Sequence, residues 1–318
     1  MQNAKRTLEE AKSVMRGVIN IQFTPFKSMT EIDEDALRDN TRFMIEQGIV
    51  EGRGVLVIGG SNGEGFSLST REYQRLIDVV VEEANGQVPI CAGCIRPATQ
   101  PVIGIAKHAQ QAGADCIMVL PPHYYMNAPP DVVYGHYKAI AAATDIPIMI
   151  YNNCWVTGQD LSVSLLRRLA EIDQIVALKE CTPYFQKMRE VAFHLADRFA
   201  LLPCFTQKTL PFDYQLGAVG FITLLANFHP RIALEIHDVC LAGGVARAKE
   251  LYAQLRPLEA YVEEATRRGG PARETALGKE MCRIAGRPMG EVERLPLVRP
   301  KEDERRELRR LMVEAGLL

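Results

Sequence analysis

The segment Ile175–Phe185, IVALKECTPYF, begins with an apolar run that ends at Lys179. A short apolar run without polar alternation is typical of a strand that is buried on both faces, as in a parallel sheet. Seven further runs of this kind occur along the chain, at Val18–Thr24, Gly54–Ile58, Val88–Ala92, Cys116–Leu120, Ile148–Asn152, Ala200–Cys204 and Ala218–Thr223. We therefore interpret Ile175–Lys179 as the sixth of eight strands.

Amphipathic segments separate these runs. The clearest one follows Ser69, which has capping-box spacing with Glu72. Its apolar residues have the i, i+3, i+4, i+7, i+8 spacing of one helix face, at Tyr73, Leu76, Ile77, Val80 and Val81. Strands that alternate with helices predict an α/β protein with a parallel sheet covered by helices.

Eight such units before residue 243 predict a (β/α)8 TIM barrel, because an open doubly wound sheet usually needs fewer strands. Gly243 and Gly244 precede a segment with a different residue pattern. Three helices are predicted there, at 245–268, 271–285 and 302–315. We expect an N-terminal helical extension over 1–15, the barrel over 16–243, and a C-terminal helical extension over 244–318.

Composition excludes several classes of partner. The 318 residues carry a formal net charge of −2, so no basic excess is available to neutralise nucleic-acid or lipid phosphates. No apolar run approaches the ~20 residues of a membrane span. The charged N-terminal segment has no apolar core like that of a secretory signal. A cytoplasmic enzyme is the expectation.

The eight cysteines are scattered through predicted strands and helices, which favours reduced thiols over a disulfide framework. Cys91 and Cys94 form a CxxC pair, but no second pair and no histidine at finger spacing follow it. We interpret these thiols as core residues and expect no metal site.

Lys179 is the chemically informative residue. A buried ammonium group is costly, so a lysine in such a strand tends to have a lowered pKa and a free amine. A free amine condenses with a carbonyl compound to a Schiff base, as in class I aldolases. The alternative is an ordinary lysine whose side chain extends from the strand end to water.

The unusual residues of the chain follow predicted strands. GGSNGEG at Gly59–Gly65 follows the second strand, YNNCWVTG at Tyr151–Gly158 begins at the end of the fifth, and Lys179 ends the sixth. Functional groups of a TIM barrel lie at the carboxyl ends of the strands. These three segments are therefore predicted to converge on one active site.

These motifs resemble those of the dihydrodipicolinate synthase / N-acetylneuraminate lyase superfamily. The similarity includes GSNGE at Gly60–Glu64, YN at Tyr151–Asn152 followed by VTGQDL, and ALKE around Lys179. Further matches are TPF, GAD, HYY and LGAVGFIT, at Thr24–Phe26, Gly113–Asp115, His123–Tyr125 and Leu216–Thr223. The resemblance covers nearly the whole chain from about residue 16 onward and implies a barrel with a C-terminal helical extension.

The resemblance implies a mechanism. Lys179 is expected to form an imine with pyruvate or another 2-oxo acid, and Tyr151 to act as general acid/base with Ser61 as its relay. The backbone N–H groups of Ser61 and Asn62, in a turn that includes Gly60, are expected to bind the substrate carboxylate. No cofactor or metal is expected, because the imine supplies the polarisation.

The resemblance also implies a homotetramer or homodimer. Tyr124 and Tyr125 resemble paired tyrosines of which one reaches into the site of a neighbouring subunit, and we assign that catalytic role to Tyr125. Each assignment has a structural alternative. Tyr151 can simply end a core strand, and GGSNGEG can be only a tight connection. Glu64 is interpreted as structural, bonded to loop backbone.

Departures from the family pattern bear on the substrate. Dihydrodipicolinate synthases carry a carboxylate-binding arginine five positions after the tyrosine, where this chain has Val156. The second hydroxyl position of the family is Asn62 here. Cys154, Trp155 and Cys204 predict a narrow and apolar acceptor pocket, and Ile222 on the eighth strand is assigned to substrate binding. These features indicate that the chain is not a standard dihydrodipicolinate synthase, and that its second substrate is a less polar aldehyde or a shorter oxo acid.

Three functions stay open at this point. The first is a Schiff-base-forming lyase, either an aldolase or a dehydratase, which acts on pyruvate or a 2-oxo acid. The second is a barrel that binds 2-oxo acids without turnover. The third is a dihydrodipicolinate synthase with altered carboxylate recognition. The expected partners are a pyruvate-like 2-oxo acid and an aldehyde.

Overall fold

The computed structural model describes residues 6–204 and 209–318. Its main sheet has eight parallel strands, in which β1 to β7 are neighbours in chain order and β8 pairs with β1. A bridge between Leu201 and Ala218 joins the two remaining edges, so the barrel is nearly closed. The strands are β1 (Gly17–Ile21), β2 (Gly54–Ile58), β3 (Ile90–Cys94), β4 (Cys116–Val119), β5 (Ile148–Asn152), β6 (Ile175–Glu180), β7 (Ala200–Pro203) and β8 (Gly220–Thr223). The predicted (β/α)8 TIM barrel is confirmed.

Helices cover the outside of this barrel. Those up to the eighth strand and directly after it are α1 (Leu8–Val14), α2 (Glu34–Glu46), α3 (Thr70–Ala84), α4 (Thr99–Ala112), α5 (Pro130–Ala143), α6 (Cys154–Thr157), α7 (Val163–Leu169), α8 (Phe185–Leu195), α9 (Leu210–Gln215) and α10 (Pro230–Leu241). The C-terminal helices are α11 (Val245–Gly269), α12 (Ala272–Ile284) and α13 (Glu302–Glu314). In the part of the chain that the structure describes, none of them is long and apolar enough to cross a membrane.

The helix predicted at the N terminus is α1, which a Thr7–Glu10 capping box begins. Residues 1–5 of the predicted extension lie outside the described residues, and the division of the chain at 15/16 and 243/244 stays a prediction. An antiparallel hairpin, formed by Phe26–Ser28 and Glu31–Ile32, was not predicted.

Six of the eight strands differ from the prediction at one or both ends, and two of these differences have a clear physical cause. The first strand ends at Ile21 rather than Thr24, because the N–H of Phe23 donates to the side chain of Asn227 (3.1 Å) instead of a neighbouring strand. The third strand begins at Ile90 rather than Val88, where Pro89 has no N–H to donate to a ladder. The shift carries Cys94 into the strand.

The barrel is packed at one end and open at the other. Side chains from the strands fill its interior as a buried apolar cluster, and Val14 and Met15 at the end of α1 belong to the same cluster. A packed interior is expected for an eight-stranded barrel, which leaves no pore. Functional groups therefore have space at the carboxyl ends of the strands.

A buried ionic network attaches α12 to the loop after β2. Lys279 Nζ donates to Glu64 Oε1 (2.5 Å) and Glu293 Oε2 (3.1 Å), and all three side chains are nearly inaccessible to solvent. The interpretation of Glu64 as structural agrees with this contact, but the proposed bond to loop backbone is wrong. A buried carboxylate needs a cation, and the C-terminal extension supplies it.

Candidate active site

Lys179 and Tyr151 are direct neighbours in the barrel. The register of β5 and β6 pairs their Cα atoms, and the Nζ of Lys179 lies 3.7 Å from the centroid of the Tyr151 ring. Both side chains are only 2% exposed. Residues paired across adjacent parallel strands project to the same face of the sheet. The structure thus places a buried amine beside a buried phenol.

Two side chains contact the phenol oxygen of Tyr151. Asn153 Nδ2 donates to it at 2.7 Å, and Ser61 Oγ lies 3.4 Å away. The Ser61 contact has the geometry of the predicted relay but is long for a bond between hydroxyls. Asn153 was missed, although its place two residues after Tyr151 is a signal: alternation puts it on the same face.

The charges around Lys179 and Tyr151 contradict the prediction that the pKa of Lys179 is lowered. Burial alone lowers the pKa of Lys179, but the ionised forms of Tyr151, Cys204 and Cys181 outweigh this effect and raise it above the usual range. The expected lowering of the Lys179 pKa is therefore wrong. Burial also raises the pKa of Tyr151, while Lys179 opposes that shift. Because the amine of Lys179 and the phenol of Tyr151 interact this closely, the loss of a proton is a property of both groups together and is not assigned to one of them.

The loop after β2 forms a turn with unbonded donors. Among the described residues, the backbone N–H groups of Ser61 and Asn62 have no hydrogen-bond acceptor. The turn requires glycine at two positions: Gly59 has a φ of 61°, and a Cβ on Gly65 would lie 2.0 Å from the Gly59 oxygen. Successive free N–H groups of this kind can bind an anion.

A cavity of about 880 Å³ opens above these groups. Most of the residues predicted to bind substrate line it, and they are Ser61, Asn62, Trp155, Val156, Cys204 and Ile222. Gly60 supplies backbone to the turn and does not line the cavity. Tyr125 is 84% exposed and lies outside the cavity of its own chain.

One wall of the cavity comes from the C-terminal helices, which the sequence analysis did not connect with the site. Leu258 and Val262 of α11, and Glu274 and Thr275 of α12, line it. Asn62 Nδ2 donates to Glu274 Oε2 (3.0 Å) and Thr275 Oγ1 (3.1 Å). The signal in the sequence was Gly269-Gly270-Pro271, which ends one helix and begins the next beside the cavity.

A second buried carboxyl lies next to Lys179 in sequence. Glu180 accepts from Asn152 Nδ2 at 2.9 and 3.0 Å, and Lys187 Nζ lies 3.7 Å from it. Burial outweighs Lys187 and raises the pKa of Glu180 to about 7. Glu180 does not line the cavity, so it supports β5 and β6 from the other face.

Comparisons with known proteins agree with this geometry. The chain matches the dihydrodipicolinate synthetase family over residues 14–315. The 4-hydroxy-tetrahydrodipicolinate synthase of Syntrophus aciditrophicus (strain SB) is 34% identical over 306 residues, which are 96% of this chain and 100% of the relative.

Two solved structures show the same fold. A chloride-inhibited dihydrodipicolinate synthase from Acinetobacter baumannii, complexed with pyruvate, has a TM-score of 0.83 and 29% identity, covering 96% of this chain and 100% of that chain. A monomeric dihydrodipicolinate synthase variant has a TM-score of 0.84 and 25% identity, covering 96% and 98%.

Members of the matching family are lyases of the class I aldolase type, which act on pyruvate through a Schiff base. The prediction of such a lyase is confirmed at this level. The match includes the barrel and the C-terminal helices that complete the cavity. The chain therefore belongs to the dihydrodipicolinate synthetase family.

Proposed function

We propose that the chain is an aldolase or dehydratase that forms an imine between Lys179 and pyruvate or a pyruvate-like 2-oxo acid. The observation that carries this proposal is the buried contact between Lys179 and Tyr151 below an open cavity. The family membership supports the same chemistry.

Lys179 must lose a proton before its nitrogen can attack. The reactive form of the pair has one proton fewer than a Lys179 ammonium beside a Tyr151 phenol. When the remaining proton of that form is on the phenol oxygen, Lys179 is a free amine. The amine adds to the C2 carbonyl of the 2-oxo acid, and loss of water gives the protonated imine. The phenol of Tyr151 donates one proton to the departing oxygen as water leaves, while Asn153 and Ser61 orient its hydroxyl.

The protonated imine is the electron sink of the reaction. In the condensing direction, C3 loses a proton and the resulting enamine attacks the carbonyl carbon of an aldehyde. In the cleaving direction, the C4 hydroxyl loses its proton to a base, the C3–C4 electrons move into the imine, and the aldehyde departs. A dehydratase uses the same imine, but loses hydroxide from C4 after the C3 proton leaves.

The carboxylate of the 2-oxo acid fits the turn after β2. The free N–H groups of Ser61 and Asn62 point to an anion there, and both residues line the cavity that contains Lys179. Because the carboxylate is bonded directly to C2, its contact with the turn would fix the plane of an imine formed on Lys179. Positioning of this kind contributes to the rate because the reacting atoms need no further ordering.

The acceptor side favours an uncharged aldehyde. Val156 and Trp155 line the cavity, and Val156 can neither donate a hydrogen bond nor carry charge. We propose on this ground that the chain is not a standard dihydrodipicolinate synthase. The relatives of this chain are, however, named 4-hydroxy-tetrahydrodipicolinate synthases. A dihydrodipicolinate synthase with altered carboxylate recognition is therefore the second candidate. Condensation of pyruvate with aspartate semialdehyde in preference to uncharged aldehydes would favour that candidate.

Borohydride trapping tests the imine. The protein is incubated with pyruvate and borohydride, and peptide mass spectrometry locates the reduced adduct. We expect the adduct on Lys179, none in Lys179→Met, and an unchanged adduct in the control Lys138→Met, whose side chain is exposed on α5. Absence of an adduct in the wild type would favour a barrel that binds 2-oxo acids without turnover.

We also propose that the protein is a homo-oligomer, either a dimer or a tetramer, in which Tyr125 reaches a neighbouring site. The exposure of Tyr125 and Tyr124 on one loop supports this assignment. Sedimentation velocity tests the oligomer, and Tyr125→Phe should lower kcat without changing the sedimentation coefficient. A cytoplasmic location stays a prediction from the sequence.

A further inference from the structure

Helix α12 brings a carboxylate to the wall of the cavity. Glu274 lies in the first turn of α12, is partly buried, and lines the same cavity as Lys179 and Tyr151. The mechanism described above does not use this residue. Its position follows from Gly269-Gly270-Pro271, which redirects the chain between α11 and α12.

Only one of the two carboxylate oxygens of Glu274 accepts a hydrogen bond from the described residues. Asn62 Nδ2 donates to Oε2 (3.0 Å), and the same amide donates to Thr275 Oγ1 (3.1 Å), which fixes the orientation of the pair. Among the described residues, Glu274 Oε1 has no hydrogen-bond donor. An acceptor oxygen in a cavity wall is therefore available to a ligand.

Glu274 and Lys179 face the same space. Burial raises the pKa of Glu274 above the usual range, while the hydrogen bond from Asn62 and the charge of Lys179 oppose that shift. Among the described residues no ion pair joins the two side chains, and both of them line the cavity. A second substrate that approaches an imine on Lys179 through this cavity would pass Glu274.

The charge balance of the cavity restricts that substrate. Among the described residues that line the cavity, only Lys179 carries an amine or guanidinium group. In the proposed mechanism this amine is bonded to the 2-oxo acid as an imine. Val156 contributes no charge. Glu259 and Glu263 line the cavity as well as Glu274, and no second amine or guanidinium does so in the part of the chain that the structure describes. These charges disfavour an acceptor that carries its own carboxylate.

We propose that Glu274 determines specificity for the second substrate: Oε1 accepts a hydrogen bond from a hydroxyl of an uncharged hydroxyaldehyde, and the carboxylate excludes acceptors that carry a carboxylate. Asn62 is the residue that positions Glu274. This inference rests on the proposed imine chemistry and names the substrate class for the same site.

The test compares three aldehydes in condensation with pyruvate: glyceraldehyde, propanal and succinate semialdehyde. The first two differ by hydroxyls, and the third carries a carboxylate. Values of kcat/KM are measured for the wild type, Glu274→Gln, Glu274→Leu and the control Glu264→Gln. Glu264 is on α11 and pairs with Arg267 and Arg268 at the surface, so the control removes a charge outside the cavity.

We expect the wild type to prefer glyceraldehyde to propanal, and Glu274→Leu to reduce that ratio about 10-fold or more, because the leucine cannot accept the hydrogen bond. Glu274→Gln should raise the relative kcat/KM for succinate semialdehyde about 10-fold, because the like charge is removed. Glu264→Gln should change neither ratio.

Borohydride trapping with pyruvate tests imine formation on Lys179 separately from the role of Glu274 in specificity. A normal adduct on Lys179 in every variant shows that each folds and forms the imine. Unchanged aldehyde ratios would then overturn the role of Glu274 alone, as would a wild type that forms the imine but condenses with none of the three aldehydes. A wild type without an adduct would overturn both proposals.

Discussion

Replacement of Lys279 by methionine tests whether the C-terminal extension holds the carboxylate-binding turn. Lys279 pairs with Glu64 (2.5 Å) and Glu293 (3.1 Å) in a site from which water is excluded. Glu293 keeps Arg283 as a partner, but Glu64 retains none, and its Oε2 already has no donor in the described structure. Removing one member of a buried ion pair costs about 3–5 kcal/mol.

The pKa of Glu64 determines how the free energy of unfolding of Lys279→Met changes with pH. Burial already raises the pKa of Glu64, and Lys279 opposes that shift. Without the lysine, the folded state keeps Glu64 protonated at a higher pH than the unfolded state does. The free energy of unfolding of Lys279→Met should therefore fall as pH rises above about 4.5, the ordinary range of a glutamate.

Urea unfolding at pH 5 and pH 8 measures the effect. We expect a deficit of about 3 kcal/mol at pH 8, with a smaller deficit at pH 5 where Glu64 can be protonated. The double variant Glu64→Gln/Lys279→Met should recover much of the loss at pH 8, because no buried charge remains. Equal deficits at both pH values, without recovery in the double variant, would refute the electrostatic reasoning.

Three further predictions concern the site and its support. Tyr151→Phe should lower kcat about 10²–10⁴-fold while borohydride still traps an adduct; a kcat within a factor of two of the wild type would remove the general acid/base role. Val156→Arg should raise the ratio of kcat/KM for aspartate semialdehyde over propanal about 10-fold, measured by coupled assay, because it adds a carboxylate partner. Because its folded pKa is raised to about 7, Glu180 stabilises the fold at low pH and loses that contribution as pH rises through about 7. Glu180→Gln should remove a fall of up to about 3 kcal/mol in the free energy of unfolding between pH 5 and pH 8, and an unchanged urea profile would contradict this.

Much of the site could be predicted because its parts follow strand ends. The apolar runs identified the strands, and the barrel rule placed Tyr151, Lys179 and the Gly59–Gly65 turn at one end. Asn153 could have been found by alternation from Tyr151. The charge state of Lys179 could not, because its pKa depends on how close the ring of Tyr151 and the thiols of Cys181 and Cys204 lie.

The amino-acid sequence by itself determined the barrel and the adjacent catalytic candidates, because local periodicity reports which residues are buried and barrel closure is regular. Only the tertiary structure decided which residues of α12 line the cavity. Glu274 lies 212 residues from Asn62 in the chain, and Lys279 lies 215 from Glu64, yet both pairs are bonded. Contacts at such separations depend on how α12 packs against the open end of the barrel, and no local pattern of residues encodes that packing.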